Sequence, residues 1–278
     1  METFDQSLKY LLNHESAALL RFALEQDVVV ERPVETALPS RGREIDGGYR
    51  VTVMGEAKVA HVEFQRRHQS QKSVAVDVAE AQVRLYRRDE VEVVSVVWDL
   101  YGHRDDPVRS ERTLHYGRGS QSTYTRVNLR GMVWRALLAD GPPALWPLVA
   151  LTGDGAHDEA VHAARDAIVA RTDLSASQKA DHVAVLWFIA EAEDVAIAAM
   201  KAYIRREDLM QSVLYQEIFA DGKLEGKLEG ERQTVFDLCE VLGITLTPAQ
   251  TARIQELDLD QLTTLRTHLK RDRAWIDL

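Results

Sequence analysis

An α/β core followed by an all-helical C-terminal part is the fold class that three observations in the sequence predict. The first is a pair of strand-like runs between Arg43 and Gln65, R-E-I-D-G-G-Y-R-V-T-V-M-G-E-A-K-V-A-H-V-E-F-Q, with apolar residues at period two. The second is the nearly continuous apolar run from Val91 to Leu100, V-E-V-V-S-V-V-W-D-L, the pattern of a strand covered on both faces. Between them Ser70 to Arg88 carries Val74, Val78, Ala81 and Leu85 at helical spacing, so a helix crosses from one strand to the next. The third is the change after Met132 to Ala-, Leu- and Val-rich helical text that lasts to the C-terminus. At 278 residues the chain has room for a substantial core and for one or two domains.

Taken in order, Phe4, Leu8, Leu11, Leu12, Leu19, Phe22 and Ala23 place an amphipathic helix over residues 4–25, with a reset near Asn13. Val28 to Val30 is a short apolar run before Pro33, and Glu35 to Ser40 is a connection. Asp46 then opens one strand and Glu63 sits in the next, with Met54 to Lys58 as a polar turn between them. Strand side chains alternate faces, so Val62 and Phe64 point into a core while His61, Glu63 and Gln65 share the other face, toward a site or solvent. A fourth strand is expected at Thr123 to Leu129, after a polar segment from Tyr101 to Ser122 that reads as an insertion or a loop.

The helical part divides further. Asp173 and Ser175 have the character of turn or capping residues between two helices. Asp221 to Glu231, D-G-K-L-E-G-K-L-E-G-E, repeats a G-K-L-E tetrad with Gly222, Gly226 and Gly230 spaced by four. Two readings of that stripe stand: an exposed connector, or a backbone-close contact in a homodimer. Helices follow at Val235 to Leu242, at Pro248 to Leu257 behind a Thr247 cap, and at Asp260 to Leu269. The expected organisation is a core over 1–130, a helical extension over 131–220, a connector helix over 221–235 and a small helical module over 236–278.

Composition narrows the function classes. The single cysteine, Cys239, excludes a disulfide framework or a cysteine-based zinc site within one chain. A start without a basic and apolar leader, and the lack of an 18-residue apolar run, lead to the expectation of a cytoplasmic protein with no membrane partner. The net charge of −10 resides wholly in the second half, since residues 1–138 carry twenty charges of each sign. Arg41 to Arg88 holds ten Lys and Arg against six Asp and Glu, a local excess that suits a phosphate-bearing partner. His103, His115 and His157 have no metal-ligand spacing, and neither a Gly-rich phosphate loop nor a helix-turn-helix signature is present.

Two carboxylates in neighbouring strands suit a hard divalent cation such as Mg²⁺, with Mn²⁺ as its substitute, because such ions take oxygen ligands and keep several waters. Asp46 and Glu63 are that pair, and the E-x-Q spacing puts the Gln65 amide beside the second acid. His61, on the same face, is a partner of the same region.

These residues resemble the signature of the PD-(D/E)XK nuclease superfamily, and more closely that of the Rpn-type recombination-promoting nucleases, also described as transposases: an aspartate on one strand, here I-D at Ile45 and Asp46, then an apolar-E-x-Q strand, here H-V-E-F-Q from His61 to Gln65. The early F-D-Q-S-L-K-Y-L-L, the late L-M-Q-S-V-L-Y-Q and the E-G-K-L-E-G run are similar to other parts of that family. The resemblance implies a restriction-endonuclease-like core, a mixed central sheet flanked by helices, and Mg²⁺-dependent cleavage of DNA with Asp46, Glu63 and Gln65 at the centre. It also implies a further carboxylate from the first helix, Glu15 or more weakly Asp5. Gln82 and Tyr86 match the Q-x-x-x-Y element of RecB-like members, and Arg66, Arg67, Lys72 and Arg84 are expected to meet phosphates. The wider superfamily has lysine where this chain has Gln65. A lost transition-state contact of that kind costs on the order of 3 kcal/mol unless Lys58, Arg66, Arg67 or Lys72 supplies the charge. The alternative is an inactive descendant that keeps the fold as a nucleic-acid or protein interaction module.

Overall fold

The apolar spacing of the N-terminal segment forms α1 (Glu2–Leu24), whose Leu8, Leu11, Leu12, Leu19, Leu20 and Ala23 are all buried on one stripe. The reset expected near Asn13 is a kink at Glu15, where φ of −123° and ψ of 15° leave the helical region. The structure is a computed structural model and describes residues 2–34, 36, 45–65, 71–117, 119–195 and 209–276. They fall into two compact units, Met1–Leu214 and Tyr215–Leu278.

In the first unit β1 (Val28–Pro33), β2 (Gly47–Val53), β3 (Glu56–Gln65), β4 (Val93–Asp99), β5 (Arg109–Gly117) and β6 (Ser120–Asn128) form one mixed sheet in the order β1-β2-β3-β4-β6-β5. The first three are successive antiparallel neighbours, β4 runs parallel to both β3 and β6, and β5 is antiparallel to β6 at the far edge. The parallel pair β3 and β4 needs a crossover, and α2 (Gln71–Asp89) provides it.

Three features differ from the sequence reading. The run at Val28 to Val30 continues to Pro33 as a full edge strand, where a missing N–H is tolerated. The polar turn shrinks to Met54 and Gly55, both with positive φ (52° and 84°), as a two-residue hairpin requires, and Glu56 to Lys58 join β3. The polar segment before β6 contains β5, an edge strand whose side chains are mostly exposed.

The two faces of the sheet are covered by different helices. On one, the Tyr49 hydroxyl donates to the Leu12 carbonyl at 2.8 Å and the Phe22 ring lies 6.1 Å from that of Trp98, so α1 is seated there. On the other, Ile45, Val59, Ala81 and Leu85 form one apolar cluster and Ala75, Val78, Val97 and Tyr124 another, both made with α2. The helical extension belongs to the same unit: α3 (Ala176–Ala192), capped by Ser175 and Gln178 in a capping box, and the 3-10 helix Pro143–Leu151 both pack on α1. The core and the extension, expected as separate segments, therefore fold as one body.

Tyr49 gives this body an alkaline limit. Burial pushes its phenol up to about 12, whereas the unfolded chain ionises such a group near pH 10. The folded state thus retains a proton that the unfolded state has released; the stabilisation is whole below pH 10 and is lost as pH rises toward 12, about 3 kcal/mol in all. Burial and the neighbouring Asp181, to which its hydroxyl donates at 3.1 Å, raise Tyr10 in the same direction. Urea midpoints are expected to fall between about pH 10 and 12, and Tyr49→Phe to flatten that fall.

The second unit is built from helices ending in well-defined caps. Thr247 and Gln250 form a capping box on Pro248–Glu256, and Asp258 and Gln261 another on Leu259–Asp272. With helix Val213–Val241 they enclose Val235, Cys239, Ile254, Leu257, Leu262, Leu265 and Leu269, and burial raises the Cys239 thiol, which suits a packing role. Gly222, Gly226 and Gly230 lie within helix Val213–Val241, and a Cβ on any of them would meet nothing within 4 Å. Replacing each by alanine is expected to stabilise the helix by about 0.5–1 kcal/mol; a fall in the denaturation midpoint instead would mean that a second chain covers the stripe. Among the described residues, no helix is long and apolar enough to cross a membrane.

Candidate functional site

The hairpin of β2 and β3 pairs Val53 with Glu56 at its turn and Gly47 with Val62 at its open end. The ladder ends at that pair; beyond it Asp46 leaves the extended strand and lies beside the end of β3. A turn spanning Met54 to Lys58 would have shifted that register by three, so the two-residue turn is what brings the chain before β2 alongside Glu63 and Phe64. Asp46 is fixed by the Phe64 N–H, which donates to its Oδ2 at 2.7 Å. Its neighbour Ile45 is buried in the cluster under α2, and Gly48 passes so close that a Cβ would lie 2.6 Å from Val34 Cγ2.

Glu63 is held by a buried polar chain that crosses three strands beneath α2. His61 Nε2 lies 3.1 Å from Glu63 Oε1, and His61 Nδ1 lies 3.1 Å from Ser95 Oγ on β4. Gln82 of α2 donates from Nε2 to Ser95 Oγ at 3.0 Å and to the Thr123 carbonyl at 2.8 Å, while the Ser122 hydroxyl donates to Gln82 Oε1 at 2.6 Å. Since a carbonyl can only accept, the Thr123 contact fixes which way the Gln82 amide points. His61 is fully buried and Ser95 is 3 % exposed. The expectation that His61 faces a site or solvent is therefore corrected: its polar face is the one that α2 covers, and its polarity is satisfied internally.

Ser95, His61 and Glu63 have the composition of a nucleophilic triad, but the geometry does not serve one. The Ser95 hydroxyl is buried and already accepts from Gln82, so no electrophile can reach it.

Gln65 ends β3 half-buried, with Asp99 of β4 as its register partner. Asp99 is bound in turn by Arg126, whose Nε and Nη2 both donate to Asp99 Oδ2 at 2.9 and 2.7 Å and whose Nη1 donates to Asp106 Oδ2 at 2.8 Å. Sequence reading missed Ser95, Asp99 and Arg126, which become neighbours of the motif only through strand order.

Of the other expected residues, Gln82 reaches the centre and Tyr86 does not: Gln82 turns into the sheet, whereas Tyr86 is 57 % exposed. Arg84 pairs with Glu80 on its own helix. Lys72 stands in the first turn of α2, its side chain beyond what the structure describes, and Arg66 and Arg67 lie outside the described residues. Lys58 is ruled out as the missing cation, because it pairs with Glu92 at 2.9 Å and Glu56 at 3.3 Å and stands five residues, roughly 16 Å, along the strand from Glu63 on the opposite face. Glu15 is not brought to the pair either. It is turned toward α3, where its Oε1 meets His182 Nε2 at 3.0 Å, and Asp5 pairs with Lys9 along α1.

Among the described residues, no group of three or more His, Cys, Asp and Glu side chains is arranged to hold a metal ion. Asp46 and Glu63 nonetheless fit the donor requirement of Mg²⁺, which binds through one or two carboxylates and retains its waters. With Glu63 Oε1 given to His61, Oε2 is the oxygen left for a cation. No protein-family model matches the chain, and no curated protein and no solved structure matches it.

Proposed function

We propose that the chain is a Mg²⁺-dependent endonuclease that hydrolyses phosphodiester bonds in DNA, of the PD-(D/E)XK kind and akin to the Rpn-type recombination-promoting nucleases. The observation that carries this reading is that Asp46 is held beside β3, its carboxylate accepting from the N–H of the residue after Glu63, with Gln65 next along the same strand. The mixed sheet flanked by α1 and α2 supports it, being the coarse architecture that the resemblance implies.

Asp46 and Glu63 Oε2 would hold the cation, which supplies charge neutralisation at phosphorus and a water of lowered pKa. The Gln65 amide would orient that water by hydrogen bonding without adding positive charge. Arg66 and Arg67, which follow it in sequence, would supply positive charge toward the phosphate.

The test uses supercoiled plasmid with Mg²⁺ or Mn²⁺ and the variant Asp46→Asn. Asparagine keeps an acceptor for the Phe64 N–H, so the hairpin end is retained while the anionic ligand is lost. Nicking is expected to fall at least about 100-fold, equivalent to roughly 3 kcal/mol of transition-state stabilisation. Equal nicking by wild type and Asp46→Asn would remove the assignment and leave the fold as an interaction module.

A further inference from the structure

We propose that His61 is a positioning residue for Glu63: held as its Nε2–H tautomer by Ser95, it fixes the carboxylate through Oε1 and leaves Oε2 for the proposed cation. The inference rests on the proposed metal site only for what Oε2 would meet; the tautomer stands on the hydrogen bonds alone.

The assignment follows from counting protons along the chain. Ionised Glu63 can only accept, so the proton on the 3.1 Å contact belongs to His61 Nε2. At the other end, the Gln82 orientation is fixed by Thr123, so Gln82 Nε2 donates to Ser95 Oγ. The Ser95 hydroxyl proton is then available to His61 Nδ1 at 3.1 Å, the lone pair that a neutral Nε2–H imidazole presents there. Every donor from Ser122 through Gln82, Ser95 and His61 to Glu63 thus has one acceptor, running in one direction. A doubly protonated ring would put two donors on Ser95 Oγ and leave the serine proton without its acceptor. The chain is also rigid. His61 and Ser95 are register partners on adjacent parallel strands, and Gln82 is anchored to β6 by two hydrogen bonds. Glu63, 24 % exposed at its side chain, receives its orientation from this buried support.

Hydrogen bonding to a ligating carboxylate sets its direction, and loss of such support typically lowers metal affinity by about 10- to 100-fold. The test has two arms on the full chain. In the first, ¹⁵N-imidazole NMR of the metal-free protein is expected to show His61 protonated at Nε2 with Nδ1 as acceptor, and Ser95→Ala to disturb that signature. An Nδ1–H ring, or a signature unchanged in Ser95→Ala, would overturn the proposal. In the second, Mn²⁺ affinity is measured by calorimetry for His61→Phe, which keeps bulk without a donor, and His61→Gln, whose amide N–H can replace Nε2–H. The expected result is a loss of at least about tenfold for phenylalanine, largely recovered by glutamine; equal affinities in all three proteins would overturn it. If wild type shows no Glu63-dependent Mn²⁺ binding, the metal reading fails by itself, and the NMR arm still decides the role of His61.

Discussion

Arg126→Ala is expected to destabilise the Met1–Leu214 unit by about 3–5 kcal/mol, the cost of removing one partner from a buried ion pair. Arg126 is 7 % exposed, and its guanidinium gives two N–H donors to Asp99 and one to Asp106. Without it, Asp99 keeps its charge at a site where its side chain is only 19 % exposed. The lost guanidinium also loosens the segment after β4. That segment is tied back by Arg126 through Asp106 and by Asn128, whose Nδ2 donates to the His103 carbonyl at 2.7 Å. Arg126→Lys should recover only part of the loss, because an ammonium is a point charge that cannot span two carboxylates with a planar fork. Urea denaturation of the three proteins checks this ordering; a loss below about 1 kcal/mol for alanine would place the pair among ordinary surface salt bridges. The consequence reaches the candidate site, since Asp99 is the register partner of Gln65.

The elements legible in the sequence are those whose burial is asymmetric or complete. β3, β4 and α2 announce themselves because apolar residues recur at the period of the element, and the caps at Thr247 and Ser175 because short polar side chains stand where a helix starts. β5 was illegible for the opposite reason: at a sheet edge, R-S-E-R-T-L-H-Y-G needs no apolar face and looks like loop text. The turn was misjudged because Glu56 and Lys58 are polar. Lys58 is drawn into the strand by Glu92, a partner 34 positions away.

The candidate site divides along the same line. That Asp46 lies beside the H-V-E-F-Q strand could be read from two adjoining strand-like runs. That His61 is buried could not, because period two distinguishes one face from the other without saying which face is wet. What covers His61 is α2, and what meets its Nδ1 is Ser95, itself held by Gln82, neither of which has any local relation to H-V-E-F-Q. Gln82 is singled out with Tyr86 as a Q-x-x-x-Y pair, and its spacing is informative about the helix but silent about which of the two turns inward.

Glu63→Ala and Glu63→Gln separate what this side chain does for the fold from what it is proposed to do for the reaction. Alanine leaves the His61 Nε2–H without its acceptor at a fully buried position, which costs about 1–3 kcal/mol, and it removes the anionic oxygen proposed to meet Mg²⁺. Glutamine returns an oxygen to His61 through its own carbonyl, so stability should recover to within about 1 kcal/mol of wild type. It brings no negative charge, so plasmid nicking and Mn²⁺ binding should stay down by at least about 100-fold in both variants. Denaturation midpoints and nicking rates on the same preparations give the two readouts. Glutamine restoring both would show that Glu63 acts only as an acceptor for His61, whereas glutamine restoring stability alone is what a carboxylate held from behind and used from the front requires.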